Sequence, residues 1–172
     1  LSSSSAASDV YKRQVEDGRA DIGIFADNVL APNLEVRPYR ADQLVLLVPN
    51  DHPLAEFSQV SFADTLDYDY VALNQGSSLL RRINDAAHEA RKLLKVRIQV
   101  ASFDGICRMI EAGLGIGILP LEAVRHGLLE TTLKAVPLVD AWASRTLFAG
   151  VAVNTRLSPE AANLFNFLTS LE

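Results

Sequence analysis

No disulfide can form within this chain, because Cys107 is its only cysteine in 172 residues. A single thiol fits a reducing compartment, and a cytoplasmic location is the expectation. Long hydrophobic runs are missing as well. None approaches the ~20 apolar residues that a membrane span needs, so no membrane partner is expected. The N-terminus lacks the basic-then-apolar pattern of a secretory signal. Positive charge is scarce and scattered: 16 Lys and Arg stand against 21 Asp and Glu, a formal net charge of −5. Lys12-Arg13, Arg81-Arg82 and Arg91-Lys92 are the short groups in which they sit side by side. Phosphate contacts need clustered cations, so the chain is a poor candidate for gripping DNA by itself.

Constellations that carry catalysis are also missing. His52, His88 and His126 are isolated, and there is no zinc-ligand spacing and no pair of histidines on one helix face. An isolated histidine has no partner to define a ligand or a base, so these read as surface or turn residues. The chain has no G-x-S-x-G elbow and no Cys–His pair in a defining context. Cys107, flanked by Ile106, Met109 and Ile110, reads as a small buried hydrophobe. No catalytic residue, metal or cofactor is therefore expected, and the chain is not read as an enzyme. Gly113, Gly115 and Gly117 resemble part of a nucleotide loop, but they end a helix and enter a strand. A phosphate loop needs the reverse order, which excludes nucleotide binding here.

What is present is a core-forming composition, 49% apolar, which implies a globular chain. Residues 1–14 (LSSSSAASDVYKRQ) are Ser- and Ala-rich and read as a disordered or non-native lead-in. From Val15 onward, short apolar runs predict strands at Ala20–Phe25, Leu34–Pro38, Gln43–Val48, Tyr70–Leu73, Val96–Val100, Ile116–Leu119, Val136–Val139 and Thr146–Val153. Asn28–Asn33 reads as loop, and Pro49–Pro53 as a turn by its chemistry. Helices are predicted from Ser77 or Ser78 to about Lys92, over Phe103–Ala112, and from Ser158 on, the last with an apolar face of Ala161, Leu164, Phe165 and Leu168. A short helix starts at Pro120 and is closed by Gly127. Gly18 and Gly113 are read as left-handed helix stops. Strands alternating with helices predict an α/β fold with mostly parallel sheets.

Three serines draw attention because they precede helices. A helix start offers unpaired backbone N–H groups and a partial positive charge, which suit a carboxylate or other small anion. Ser77, Ser78 and Ser102 therefore have two readings, as ordinary caps or as caps that also hold a ligand.

Four stretches share an order and spacing with one known family. Ser102–Pro120 (SFDGICRMIEAGLGIGILP) is similar to the V-x-A-G-L-G-I-x-x-L-P signature of LysR-type transcription regulators. Gly18–Ile24 resembles the family's G-x-x-D-x-x-I strand, and Leu44–Ala55 its L-V-L-V-x-P-x-x-H-P-L-A segment. Ser158–Leu168 resembles its closing helix. The resemblance covers Val15–Glu172 and implies a two-lobed type 2 periplasmic-binding-protein-like fold with an incomplete first lobe. Residues 15–41 plus 147–172 would form a partial lobe I, and 42–146 lobe II, joined by crossover strands near Gln43–Val48 and Arg145–Val151. It also implies a small-molecule effector, a carboxylate or an aromatic, held in the cleft between lobes. Effector contacts carried over by position are Gln75, Gly76, Ser77, Ser78, Ser102, Phe103, Phe25 and Ala26. Of these, Phe25 and Phe103 read equally well as core residues. DNA would be bound only through a winged helix-turn-helix absent from this chain, and the full-length protein would be a homo-oligomer. A transporter's solute-binding protein of the same fold is the alternative. An enzyme on a related two-lobed fold fits less well: Ser144-Arg145-Thr146 departs from the Thr-Arg-Phe type motif of prephenate dehydratases, and a helical Cys107 does not suit the cofactor-bearing loop cysteine of hydroxymethylbilane synthases.

Overall fold

A computed structural model describes residues 12–26, 32–124 and 126–170. Most of the expected loop at Asn28–Asn33, and the lead-in through residue 11, lie outside these. The chain divides into two compact units: Leu1–Asp42 with Arg145–Glu172 form unit 1, and Gln43–Ser144 form unit 2. Asp42, Arg145 and Thr146, expected in lobe II, thus belong to unit 1.

In unit 1, α1 is described over residues 12–16, so helix continues through Gln14, where the lead-in was expected to end. Gly18 stops it at φ +69°, and the Arg19 and Ala20 N–H groups both donate to the Gln14 carbonyl. Strand β1 (Gly23–Ala26) pairs antiparallel with β7 (Ser144–Ala152), Gly23 opposite Gly150. β7 in turn lies beside β2 (Leu34–Pro49). The sequence pattern predicted two strands here, with Tyr39–Asp42 between them. The structure corrects this to one strand of 16 residues. Its polar middle stays extended because Asp42 is buried against Arg145 of β7. The Arg145 Nε and Nη2 both reach Asp42 Oδ2 at 2.6 Å, with side-chain exposures of 8% and 2%. Asp42 Oδ1 is buried and has no hydrogen-bond partner among the described residues. Helix α5 (Pro159–Thr169), capped by the Ser158 hydroxyl, buries Ala161 and Phe165, the latter against Ala149 and Val151. Leu164, expected on that face, is 50% exposed. It sits about 100° around the helix from Phe165, off the line that Ala161 and Phe165 present to the sheet.

Unit 2 is built around the second half of β2. Leu44–Val48 are five consecutive buried residues, a pattern that requires cover on both faces. Leu44, Leu46 and Val48 join one apolar cluster with Phe62, Tyr70, Leu79, Ile83 and Ile118. Leu47 joins another with Val71, Ile106, Ile110, Leu119 and Leu133. β2 pairs antiparallel with β5 (Gly117–Pro120) and with β6 (Leu133–Pro137). β3 (Tyr70–Leu73) and β4 (Val96–Val100) pair in parallel. A parallel bridge from Tyr70 to Ile116 links β3 to the start of β5. The pairing is therefore mixed, not mostly parallel. Strand–helix alternation along the chain does not reveal that β2 runs against β5 and β6, and β7 against β1.

Helix α2 (Ser78–Glu89) buries Leu79, Leu80, Ile83, Ala86 and Ala87. It stops earlier than expected, with Arg91 at φ +56°. Helix α3 (Phe103–Glu111) buries Ile106, Cys107 and Ile110, and Gly113 follows at φ +71°. The region after Pro120 departs from expectation. A short 3-10 turn covers Leu121–Ala123, and a separate helix α4 (His126–Thr131) runs through Gly127, which therefore does not close a helix.

Gly115 is the tightest point of unit 2. It has φ +151°, and a Cβ placed there would lie 2.6 Å from the Asp69 carbonyl oxygen. Gly113 also has positive φ, but a Cβ on it would meet nothing within 4 Å. Gly115→Ala should therefore cost about 2–4 kcal/mol, combining strain with overpacking, while Gly113→Ala should cost only about 1 kcal/mol. Denaturant midpoints of the two variants test this, and equal losses would refute the steric account. The buried pair makes a second prediction. Asp42→Asn should destabilise by about 3–5 kcal/mol, because it leaves a buried guanidinium uncompensated, whereas Asp42→Leu with Arg145→Met should come close to wild type. Chemical denaturation of both variants measures the contrast.

Candidate functional site

The parallel register of β3 and β4 sets Leu73 opposite Val100, so the two strands end at one edge of unit 2. β5 ends there too, since it runs parallel to β3 through the Ile116 bridge. From β3 the chain passes through Asn74, Gln75 and Gly76 to Ser77 and α2. From β4 it passes through Ala101 to Ser102 and α3. The Asn74 N–H donates to the Val100 carbonyl at 3.0 Å, which ties the first loop to the end of β4. Gly76 takes φ +91° to turn the chain into α2.

Both serines are helix caps in fact. Ser77 Oγ accepts from the Leu80 N–H at 3.1 Å, and Ser102 Oγ accepts from the Gly105 N–H at 3.1 Å. Each cap satisfies one first-turn donor and leaves the positive end of the helix facing this edge. Asp104 in the first turn of α3 would oppose an anion. It is drawn along the helix instead, accepting from Arg108 Nε at 2.8 Å. That hydrogen bond raises the Arg108 pKa, and the Asp104 charge adds to the effect.

Six of the expected contact residues, Gln75, Gly76, Ser77, Ser78, Ser102 and Phe103, come together at this edge. Gln75, Gly76 and Ser102 are exposed, and Ser77 and Ser78 half-buried. Phe103 is half-buried and packs against both apolar clusters of unit 2. Phe25 and Ala26 belong to unit 1. The Phe25 ring is 5% exposed and packs with Val15, Leu34 and Ala152. It occupies the space that side chains at Gly23 and Gly150 would need, so it serves that core. Two polar residues were not foreseen. Asn74 fastens the loop, and its signal in the sequence is a polar residue directly after an apolar strand. Gln43, exposed and preceding Leu44, which pairs with Pro120 at the same edge, is the other.

A family model described as the LysR substrate binding domain matches residues 1–171. The Synechocystis protein named "Probable RuBisCO transcriptional regulator" is 25% identical over 154 residues, covering 86% of this chain and 45% of that protein. The HTH-type transcriptional regulator CysL of Bacillus subtilis is 22% identical over 154 residues, covering 90% of this chain and 50% of its own. The chain thus spans about half the length of the curated relatives it matches. Among solved structures, the effector binding domain of QuiR in complex with shikimate superposes with a TM-score of 0.80 at 21% identity, over 96% of this chain and 77% of that one. The regulatory domain of Synechocystis CcmR in complex with 2-PG gives 0.79 at 20% identity, over 93% and 77%. These likenesses establish the fold, that of LysR effector-binding domains.

The cap geometry predicts that Ser77→Ala and Ser102→Ala each lose about 1 kcal/mol, and the corresponding glycine variants only a few tenths. Thermal and urea unfolding of the four variants checks this. An alanine variant as stable as wild type would remove the capping role at that position.

Proposed function

The chain belongs to the LysR substrate-binding domain family, and from that premise we propose that it senses a small-molecule effector on behalf of a DNA-binding transcription regulator. One observation carries the assignment of the contact residues. Two serine-capped helices start side by side in the topology, at the carboxyl edge of the parallel β3–β4 pair. First-turn N–H groups together with the hydroxyls of Ser77, Ser78 and Ser102 suit a carboxylate or similar small anion. The Gln75–Gly76 loop borders it, and the half-buried Phe103 ring supplies apolar contact. The named neighbours with shikimate and with 2-PG support an effector of small organic type.

In this reading DNA is held by a winged helix-turn-helix elsewhere in the full-length regulator, which is cytoplasmic and homo-oligomeric. The acidic balance of the chain, −5, is consistent with leaving phosphate contacts to another domain. The effector acts by binding one conformation of the regulator more tightly than another; an effector with equal affinity for both would change nothing. The relatives named above are regulators, which favours this reading over a transporter's solute-binding protein.

Isothermal calorimetry of the chain against a panel of small carboxylates that includes shikimate should find a saturable binder. Replacing Ser77 and Ser102 together by alanine should weaken that binder by roughly 100-fold or more, the loss of two hydrogen bonds to a charged group. Unchanged affinity in the double variant would sink the assignment of these residues.

A further inference from the structure

Two of the sequence landmarks take no part in the edge just described. The Pro49–Pro53 turn and the Gly113–Gly117 run meet instead at the opposite edge of the unit 2 sheet, where β3 and β4 begin. There they line a pocket of about 170 Å³ with Tyr68, Asp69 and Arg97. That volume admits a ligand of several heavy atoms and is well below the range of larger cofactors.

The groups around it have a definite polarity. His52 Nδ1 accepts from the Leu54 N–H at 3.2 Å, so in the neutral ring the proton resides on Nε2, which is a donor. Burial lowers the His52 pKa below its ordinary 6.5, against an opposing pull from Asp51, so the ring is neutral at neutral pH. The ring packs edge-on to Tyr68, centroids 4.7 Å apart, and the Tyr68 phenol is a second donor. Arg97 and Asp69 face each other at 3.6 Å with 57% and 52% of their side chains exposed. That is an ion pair without a hydrogen bond, of a kind that adds little to stability and opens readily. Gly113 and Gly115 contribute backbone without side chains to the lining.

A simple anion would gain Arg97, the His52 Nε2–H and the Tyr68 hydroxyl, but it would meet the Asp69 carboxylate. A simple cation would gain Asp69 and meet Arg97. A small molecule carrying both charges satisfies all four groups. We propose that this pocket is a second ligand site, distinct from the Ser77–Ser102 edge, and that it takes a small zwitterion of the α-amino acid type, with its carboxylate on Arg97, His52 and Tyr68 and its ammonium on Asp69. The inference is independent of the effector reading, because it uses none of those residues.

The test is NMR titration of the ¹⁵N-labelled chain with each of the common α-amino acids, with sodium acetate and methylammonium chloride as single-charge controls at fixed ionic strength. At least one amino acid should give saturable shifts at Asp69, Arg97, Gly113, Gly115 and the His52 ring. Asp69→Asn and Arg97→Ala, both at exposed positions, should each weaken that binding at least tenfold, and Ser77→Ala with Ser102→Ala should leave it unchanged. Acetate and methylammonium should bind at least tenfold more weakly than the amino acid. The proposal is overturned if no amino acid saturates these signals. It is equally overturned if acetate alone binds as tightly, or if either charge variant retains full affinity.

Discussion

Unit 2 holds together because two backbones approach more closely than any side chain would allow. The Ile116 N–H donates to the Asp69 carbonyl and the Val71 N–H to the Ile116 carbonyl, at 2.9 and 2.8 Å. Gly115, the residue before Ile116, lies where even a Cβ would collide with Asp69. Gly117 repeats the condition two residues later, its Cβ position being 3.0 Å from the Val71 carbonyl and 2.9 Å from the Ile110 side chain. These contacts join the parallel β3–β4 pair to β5, and through β5 to β2 and β6. Without them unit 2 would be two ladders with separate edges. With them, β3, β4 and β5 end together and start together, so one edge collects two helix N-termini and the other collects the turn at Pro49–Pro53. The glycines contribute geometry at both edges without offering a functional group at either.

What the sequence made legible follows from how local each signal is. A serine cap is decided within four residues, so Ser77, Ser102 and Ser158 were readable directly, as were the glycine stops at Gly18 and Gly113. The buried stripe of α2 needs only its own periodicity. The continuity of β2 was not readable. The stretch Tyr39–Asp42 is polar, and its reason for being extended is Arg145, 103 residues away. The direction of strand pairing was hidden for the same reason. Leu164 has the hydropathy of a core residue but the wrong angle on α5, and a face counted from composition includes it. Phe25 shows the ambiguity of aromatics. Its sequence position suited ligand contact, and the two glycines that make room for its ring, Gly23 and Gly150, are distant in the chain and close only across the β1–β7 pair.

The Asp42–Arg145 pair illustrates why burial of charge is better read as register than as stability. The guanidinium Nε and Nη2 converge on one carboxylate oxygen, and the other oxygen is buried without a partner among the described residues. Desolvating both groups is expensive, and an unsatisfied acceptor adds to the cost. An apolar pair of the same volume would be at least as stable, but it would tolerate sliding of β2 along β7. An ion pair does not, because a slip by one residue turns the charges to opposite faces. The pair sits at the last residue of unit 1 on β2 and the first on β7, the two points at which the chain passes between units.

The proposed binding of an anion by a chain with net charge −5 presents an apparent conflict, which distance resolves. Charges on a protein surface are screened over about 8–10 Å at physiological ionic strength, so the summed negative charge governs approach and little of the contact itself. At contact, the relevant field is that of the nearest donors and of any carboxylate in reach. At the Ser77–Ser102 edge the acid in closest sequence reach is Asp104, and Arg108 holds it along the α3 axis at 2.8 Å. The remaining field comes from two helix N-termini and serine hydroxyls, which are fixed dipoles that need no mobile cation. Such a site discriminates by shape and hydrogen-bond direction more than by charge, since dipoles lose strength faster with distance than a lysine or arginine would. In the proposed site, selectivity among small anions would then rest on the Phe103 ring and the Gln75–Gly76 loop, which would set how large and how apolar the rest of the molecule is.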